Sequence, residues 1–158
     1  MSKRSTILDY HRLLCLTFCI LLVASAGCTI KLISEYDETT DKAVTQLQRK
    51  METFLVDIQR KVGTEEASYD KNAKVYDDLR VDISAILVRA QAIPKNEITV
   101  QQIKLFQESV ANLEKLHQLG FSKPEELDPL RSAANITFTA ILKLELAKKR
   151  GESAPTTK

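Results

Sequence analysis

Four stretches of the sequence repeat apolar residues every three or four positions, and the few breaks between them contain Gly or Pro. The chain of 158 residues has only four glycines and four prolines. A spacing of three and four places apolar side chains on one face of an α-helix. The pattern therefore predicts an all-α protein with four amphipathic runs: Val44 to Val62, Tyr69 to Ala90, Ile103 to Leu116, and Leu130 to Leu144 or Glu145.

Residues that favour helix ends flank these runs. Asp37 precedes the first run and Gly63 follows it, as expected for a negatively charged start and a left-handed end. Thr64 and Thr99 are predicted N-caps of the second and third helices. The segment 122–125, Ser-Lys-Pro-Glu, has the form of a capping box before the fourth. Four helices of roughly 20 to 27 residues with short connections predict an up-and-down four-helix bundle.

The apolar stripes also predict which side chains form the core. Phe54 and Leu113 lie near the centres of their stripes, so both are expected to be buried. Tyr69 and Tyr76 are seven residues apart on the second stripe and are interpreted as core residues rather than a platform for a ligand. Lys149, by contrast, is expected at a solvated helix end.

The first 27 residues differ from this helical body. Lys3, Arg4 and Arg12 give them a positive start, and residues 13–24 form an apolar stretch of twelve. A membrane span needs about 20 apolar residues. A shorter stretch that follows positive charge and precedes small residues is typical of a secretory signal.

The small residues lead directly into Cys28, and Ala26-Gly27-Cys28 resembles the lipobox of bacterial lipoproteins. Ser25 departs from it, since the family prefers Leu or another larger apolar residue there. The resemblance implies a diacylglycerol on the Cys28 sulfur, cleavage between Gly27 and Cys28, and acylation of the new amine, typically by palmitate. The residue after the cysteine is Thr29 rather than Asp, and in this family that implies sorting to the periplasmic face of the outer membrane. Anchoring in the inner membrane is the alternative. An uncleaved signal anchor and ordinary secretion remain open.

These features divide the chain into four parts. Residues 1–27 are the predicted signal peptide, 28–37 a lipidated tether, 38–150 the bundle domain and 151–158 a disordered polar tail. The tether contains alternating apolar residues, at positions 30, 32 and 33, which would either dock on the bundle or lie at the lipid surface. The sequence does not decide between these two arrangements.

Cleavage would change both the cysteine content and the charge. Cys15 and Cys19 would leave with the signal, so the mature chain would have only Cys28 and no internal disulfide. Removing three basic residues and one acidic residue from 23 and 21 leaves 20 of each. The balanced charge gives no indication of a nucleic-acid partner, which would require a clustered basic face.

Three groups of residues resemble reactive or binding motifs. Glu114 and His117 form an E-x-x-H, half of the motif in di-iron carboxylate bundles. His117 would be the only histidine of the mature chain, so it is interpreted as a helix-end imidazole. Asp77, Asp78 and Asp82 are interpreted as a solvated charged face rather than a cation site. Residues 148–150, Lys-Lys-Arg, would contact anionic lipid or the helix C-terminal dipole.

The absence of nucleophile and phosphate-loop motifs favours a non-enzymatic protein without a cofactor. The segments YDETTDKAVTQLQRKMETFL and NEITVQQIKLFQESVANLEKLHQLGF are similar to small helical lipoproteins of Gram-negative bacteria that have no assigned activity. We therefore expect a lipid-anchored envelope protein with a structural or partner-binding role. The alternative is a small-molecule or metal-binding sensor with its site between helices.

Overall fold

The computed structural model describes residues 33–152, which form four α-helices. The predicted signal peptide, Cys28 and the tether up to residue 32 lie outside the described residues, as do residues 153–158 of the tail. Two short 3-10 turns, Glu65–Ala67 and Pro124–Glu126, precede the second and fourth helices. The helices are α1 (Glu38–Lys61), α2 (Tyr69–Ala92), α3 (Glu97–Leu119) and α4 (Leu127–Glu152).

The four helices pack as an antiparallel bundle, which confirms the predicted fold class. α1 packs against α2 and α4, and α3 packs against the same two helices. Within residues 33–152, the diagonal pairs α1–α3 and α2–α4 make no close backbone contact. This arrangement turns all four apolar stripes toward one shared core.

Side chains from every helix fill that core. Phe54 and Leu113 are buried, as predicted, and the rings of Phe106 and Phe138 lie 4.4 Å apart between α3 and α4. Leu116, placed on the third stripe from the sequence, is 42% exposed, so that assignment is wrong. The stripe of α3 continues from Val110 and Leu113 with a step of four, so the buried position falls on His117.

The helix starts depend on different capping residues from those predicted for α2 and α3. Asp37 caps α1, since its carboxylate accepts a hydrogen bond from the Thr40 amide at 3.0 Å. Thr64 begins the 3-10 turn instead, and Ser68 is the N-cap of α2. Asn96 is the N-cap of α3, whereas Thr99 lies buried in its first turn. The Thr64 and Thr99 predictions were therefore wrong.

The fourth helix begins and ends slightly differently from the prediction. The amide of Ser122 donates to the carboxylate of Glu126 at 3.1 Å, so the reciprocal contact of the capping box involves Glu126 rather than Glu125. Pro124 instead opens the 3-10 turn that precedes Leu127. At the other end, α4 continues through Gly151 to Glu152 and so includes the first two residues of the predicted tail.

Candidate functional site

Residues 33–37 cross one end of the bundle before α1 begins. We call this end, made of residues 33–41, 89–99 and 145–152, the Ser34 end. The Ser34 amide donates to the Lys95 carbonyl at 2.9 Å, and the buried Ser34 hydroxyl donates to Asn96 Oδ1 at 2.9 Å. Ser34, within the last five residues of the predicted tether, is therefore docked on the connection between α2 and α3. Positions 30 and 32 lie outside the described residues.

The buried ammonium of Lys148 lies at the centre of the Ser34 end. Its Nζ donates to Asn96 Oδ1 at 2.7 Å, to Thr99 Oγ1 at 2.8 Å and to Glu145 Oε1 at 2.5 Å. A lysine has three N–H donors, and all three are used here. The predicted lipid or helix-end contact is therefore wrong for Lys148, which lies on the inward face of α4. Lys149 and Arg150 are exposed.

Glu145 supplies the negative charge that matches this ammonium. Its Oε1 also accepts from the Thr99 hydroxyl at 3.1 Å, and its Oε2 accepts a longer bond from the Asp37 amide at 3.4 Å. A buried carboxylate without partners costs several kcal/mol of free energy, even after relaxation. The hydrogen bonds offset that cost and tie α4 both to α3 and to the start of α1.

Asp37 joins the N-terminal segment to α2 through Arg89. Two guanidinium nitrogens of Arg89 donate to the two carboxylate oxygens, each at 2.6 Å. Asp37 also accepts from the amide and hydroxyl of Thr40. The hydrogen bond from Arg89, with those from Thr40, holds the pKa of Asp37 well below its ordinary value of 3.8. Asp37 is therefore a charged link between α1 and α2 near neutral pH.

Tyr36 lies on the surface of the same end. Its hydroxyl donates to Asp41 Oδ2 at 2.7 Å, and this hydrogen bond, with a smaller contribution from the Asp41 charge, raises the pKa of Tyr36 to about 12. The Lys149 ammonium lies 5.0 Å from the centre of the Tyr36 ring, within the range of a cation–π contact. The docked segment therefore also contacts the last turns of α4.

The opposite end of the bundle contains a second buried polar cluster. We call this end, made of residues 58–80 and 113–127, the His117 end. The Tyr76 hydroxyl lies 2.8 Å from His117 Nδ1, and the Ala67 carbonyl lies 2.7 Å from Nε2. A carbonyl only accepts, so Nε2 carries a proton, and in the neutral imidazole Nδ1 then accepts from the Tyr76 hydroxyl. Both ring nitrogens are therefore used within the fold, and neither is available to a metal in this arrangement.

The two residues of the E-x-x-H motif have separate partners. Glu114 accepts from the Tyr69 hydroxyl at 2.9 Å and from the Arg80 guanidinium.

Burial raises the pKa of Tyr76 well above its ordinary value, with the charge of Glu114 as a second cause. Tyr76 is fully buried and Tyr69 half-buried against the core, which confirms their interpretation as core residues.

Each carboxylate of the acidic group on α2 is paired with a cation at the surface. Asp77 binds Arg80 and Asp78 binds Lys74, both at 2.7 Å, and Asp82 binds Lys50 at 2.5 Å. The three carboxylates do not converge, in agreement with the solvated-face interpretation. No group of three or more His, Cys, Asp or Glu residues could hold a metal ion within residues 33–152.

The space available to a ligand differs greatly between the interior and the surface. A cavity of about 50 Å³ lies between α1, α3 and α4, beside Met51, Phe106 and Leu113. Pockets for small molecules are usually about 300–1,000 Å³. An open groove of about 740 Å³ lies along α1 and α2, with Phe54 and Val75 among its apolar residues and Arg49 and Arg60 among its charged ones.

Sequence reasoning missed the cluster around Lys148. One signal was present, since Glu145 shared an apolar-stripe position with Leu144 and a lysine followed three residues later. A charge on an apolar stripe indicates a buried ion pair when an opposite charge lies on the same helix face. Ser34, Asn96 and Thr99 gave no comparable signal, because their contacts join distant parts of the chain.

None of the described helices has the length and apolarity that would let it cross a membrane. No protein-family model, curated protein sequence or solved structure compared with this chain matches it.

Proposed function

We propose that this chain is a lipid-anchored envelope protein, attached through Cys28, whose helical body has a non-enzymatic structural or partner-binding role. Attachment at the periplasmic face of the outer membrane is favoured by Thr29, and inner-membrane attachment is the alternative. The observation that best supports the proposal is the docking of residues 33–37. The chain that follows the lipobox enters the bundle almost at once, through Ser34 and Asp37.

The energetics of acyl chains are consistent with such an anchor. Each buried methylene contributes about 0.8 kcal/mol, but a single myristoyl chain gives only marginal binding. A diacylglycerol on Cys28 would bring two chains, and acylation of the amine would add a third. Stable attachment would then need no membrane-spanning helix.

The non-enzymatic role is supported by how the buried polar groups are used. Lys148 donates all of its protons to groups of the fold, and both nitrogens of His117 bind internal partners. These groups stabilise the bundle and are not directed into a cavity that would admit a substrate. Binding through the outer surface, including the α1–α2 groove, fits the body better than chemistry in its interior.

The intact mass of the protein recovered from membranes tests the anchor. A chain that begins at Cys28 and carries added acyl mass is the expected result. Cys28→Ala should accumulate as the uncleaved precursor of 17.8 kDa. Cys15→Ala and Cys19→Ala are matched controls that should mature normally. An unmodified Cys28, or retention of residues 1–27, would contradict the proposal.

A photo-crosslinker placed at Thr53 in cells tests the partner-binding role. Thr53 lines the α1–α2 groove and is exposed, and Gln107, which is exposed on α3, serves as the control position. One discrete crosslinked envelope protein from Thr53, and none from Gln107, is the expected result. Equal, diffuse crosslinking from both positions would argue against a specific partner at this groove.

A further inference from the structure

We infer that the Ser34 end of the bundle faces the phospholipid surface and contacts it through Ile33, Ile98 and Leu146. This inference rests on the proposed anchor at Cys28 and adds the orientation of the body and its contact surface. The three residues come from the docked segment, the first turn of α3 and the C-terminal part of α4. Their exposed fractions are 38%, 51% and 50%, which is high for large apolar side chains in one region.

The path of the chain limits how far this end can lie from the membrane. Ser34 is fixed to Lys95 and Asn96, so the chain can extend freely only between Cys28 and that point. Six residue steps span about 20 Å when fully extended, at about 3.3 Å per residue. The Ser34 end must therefore lie within about 20 Å of the lipidated sulfur, however the intervening residues are arranged.

The same limit distinguishes the two ends of the bundle. α1 has 24 residues, which makes it about 36 Å long at 1.5 Å per residue. The His117 end is thus farther from Ser34 than the free chain can span. It also exposes a large apolar residue, Leu119, at 84%, so apolar exposure alone does not identify the contact surface. The position of the docked segment is what identifies the Ser34 end as the contact surface.

The sides of the bundle are a less suitable contact surface. Their large exposed apolar residues are spread over three helices, with Val81 and Val88 on α2, Leu105 on α3 and Ile136 on α4. At the Ser34 end, the exposed Lys149 and Arg150 lie beside Leu146, whereas the exposed Glu35 and Glu97 lie close in sequence to Ile33 and Ile98. The surroundings of Leu146 therefore have the apolar and basic composition expected at a lipid interface. An upright bundle would place these residues at the headgroups.

Two single-cysteine variants of the full lipidated protein test this orientation. Ile98→Cys and Leu119→Cys place a small thiol-reactive fluorophore at opposite ends, on exposed positions of the same helix. The protein is inserted in vesicles of phosphatidylethanolamine and phosphatidylglycerol that contain a lipid with a quencher near its headgroup. An acylated Cys28 does not react, so each chain should take one label.

The expected result is strong quenching of the Ile98→Cys label and little quenching of the Leu119→Cys label. Strong quenching of both labels would overturn the upright orientation in favour of a bundle that lies flat. Weak quenching of both would overturn the lipid contact. Two labels per chain would show a free Cys28, which would overturn the proposed anchor and this inference together.

Discussion

The two ends of the bundle bury polar groups in different ways. At the Ser34 end, Lys148 and Glu145 form a buried ion pair surrounded by hydroxyl and amide groups from the start of α3 and from Asp37. At the His117 end, Tyr76 and His117 form a hydrogen-bonded pair among aromatic rings, with Phe54 and Phe121 as neighbours. Both clusters join parts of the chain that are far apart in sequence: Lys148 contacts Asn96, 52 residues away, and His117 contacts the Ala67 carbonyl, 50 residues away. They differ in the charge of the groups that they bury.

The difference predicts which end loses more folding stability when one member of its cluster is removed. A buried charge retains most of its desolvation cost when its partner is removed. A neutral hydrogen bond contributes about 0.5–1.5 kcal/mol net, and an unsatisfied partner adds about 1–3 kcal/mol. The Ser34 end should therefore be the more sensitive to a single substitution, although both clusters are equally buried.

The largest effect is expected for Lys148→Met, which leaves the Glu145 carboxylate buried without its cation. The free energy of unfolding should fall by about 3–5 kcal/mol. Urea denaturation of the membrane-extracted protein measures this loss. The double variant Glu145→Leu/Lys148→Met removes both charges, so it should be more stable than Lys148→Met alone. A double variant less stable than Lys148→Met would show that the charges are not coupled.

A smaller effect is expected at the His117 end for Tyr76→Phe. This change removes the donor to His117 Nδ1 and leaves a buried acceptor unsatisfied. The free energy of unfolding should fall by about 1–3 kcal/mol. Tyr69→Phe is the matched control and should have less effect, because Glu114 keeps its contact with Arg80. If Tyr76→Phe cost more than Lys148→Met, the comparison of the two ends would be reversed.

Asp37→Asn should have a pH-dependent effect of about 1 kcal/mol, since Arg89 is largely exposed and the pair is screened by solvent. Asn keeps the capping role but removes the charge. The pKa of Asp37 is depressed in the folded protein, so the stability from its charge is present above the ordinary value of 3.8. That stability is lost as the pH falls below this value.

Thermal unfolding between pH 7 and pH 2 measures this contribution. The difference in melting temperature between the native protein and Asp37→Asn should be largest near pH 7 and shrink below about pH 4. A difference that stays constant across this range would mean that the carboxylate charge contributes no stability.

The smallest effect is expected for Lys149→Met, the matched control for Lys148→Met. Lys149 is exposed and its ammonium lies over the Tyr36 ring at the surface. Substitutions at such positions usually change the free energy of unfolding by less than about 0.5 kcal/mol. The same urea titration should therefore give nearly the native midpoint. A loss as large as that of Lys148→Met would show that the burial of the two lysines has been assigned wrongly.

The helices could be predicted from the sequence because burial of apolar stripes determines them. Phe54 and Leu113 lie where the periodicity places them. The cap at Thr99 could not be predicted, because its hydroxyl binds Glu145, 46 residues away, instead of a local amide. The contact of Ser34 with Asn96 spans 62 residues for the same reason. Local patterns indicate helix faces, but they do not indicate which polar groups meet when the faces pack.

The central claim is that residues 33–37, which follow the predicted lipidation site, belong to the folded bundle. Hydrogen exchange at the Ser34 backbone amide, resolved by NMR, tests it most directly. That amide donates to the Lys95 carbonyl, so it should exchange far more slowly than in a free peptide. Its protection should fall in Lys148→Met, which disturbs the Asn96 contact. A Ser34 amide that exchanges at the free-peptide rate, while the Leu55 amide inside α1 stays protected, would contradict the claim.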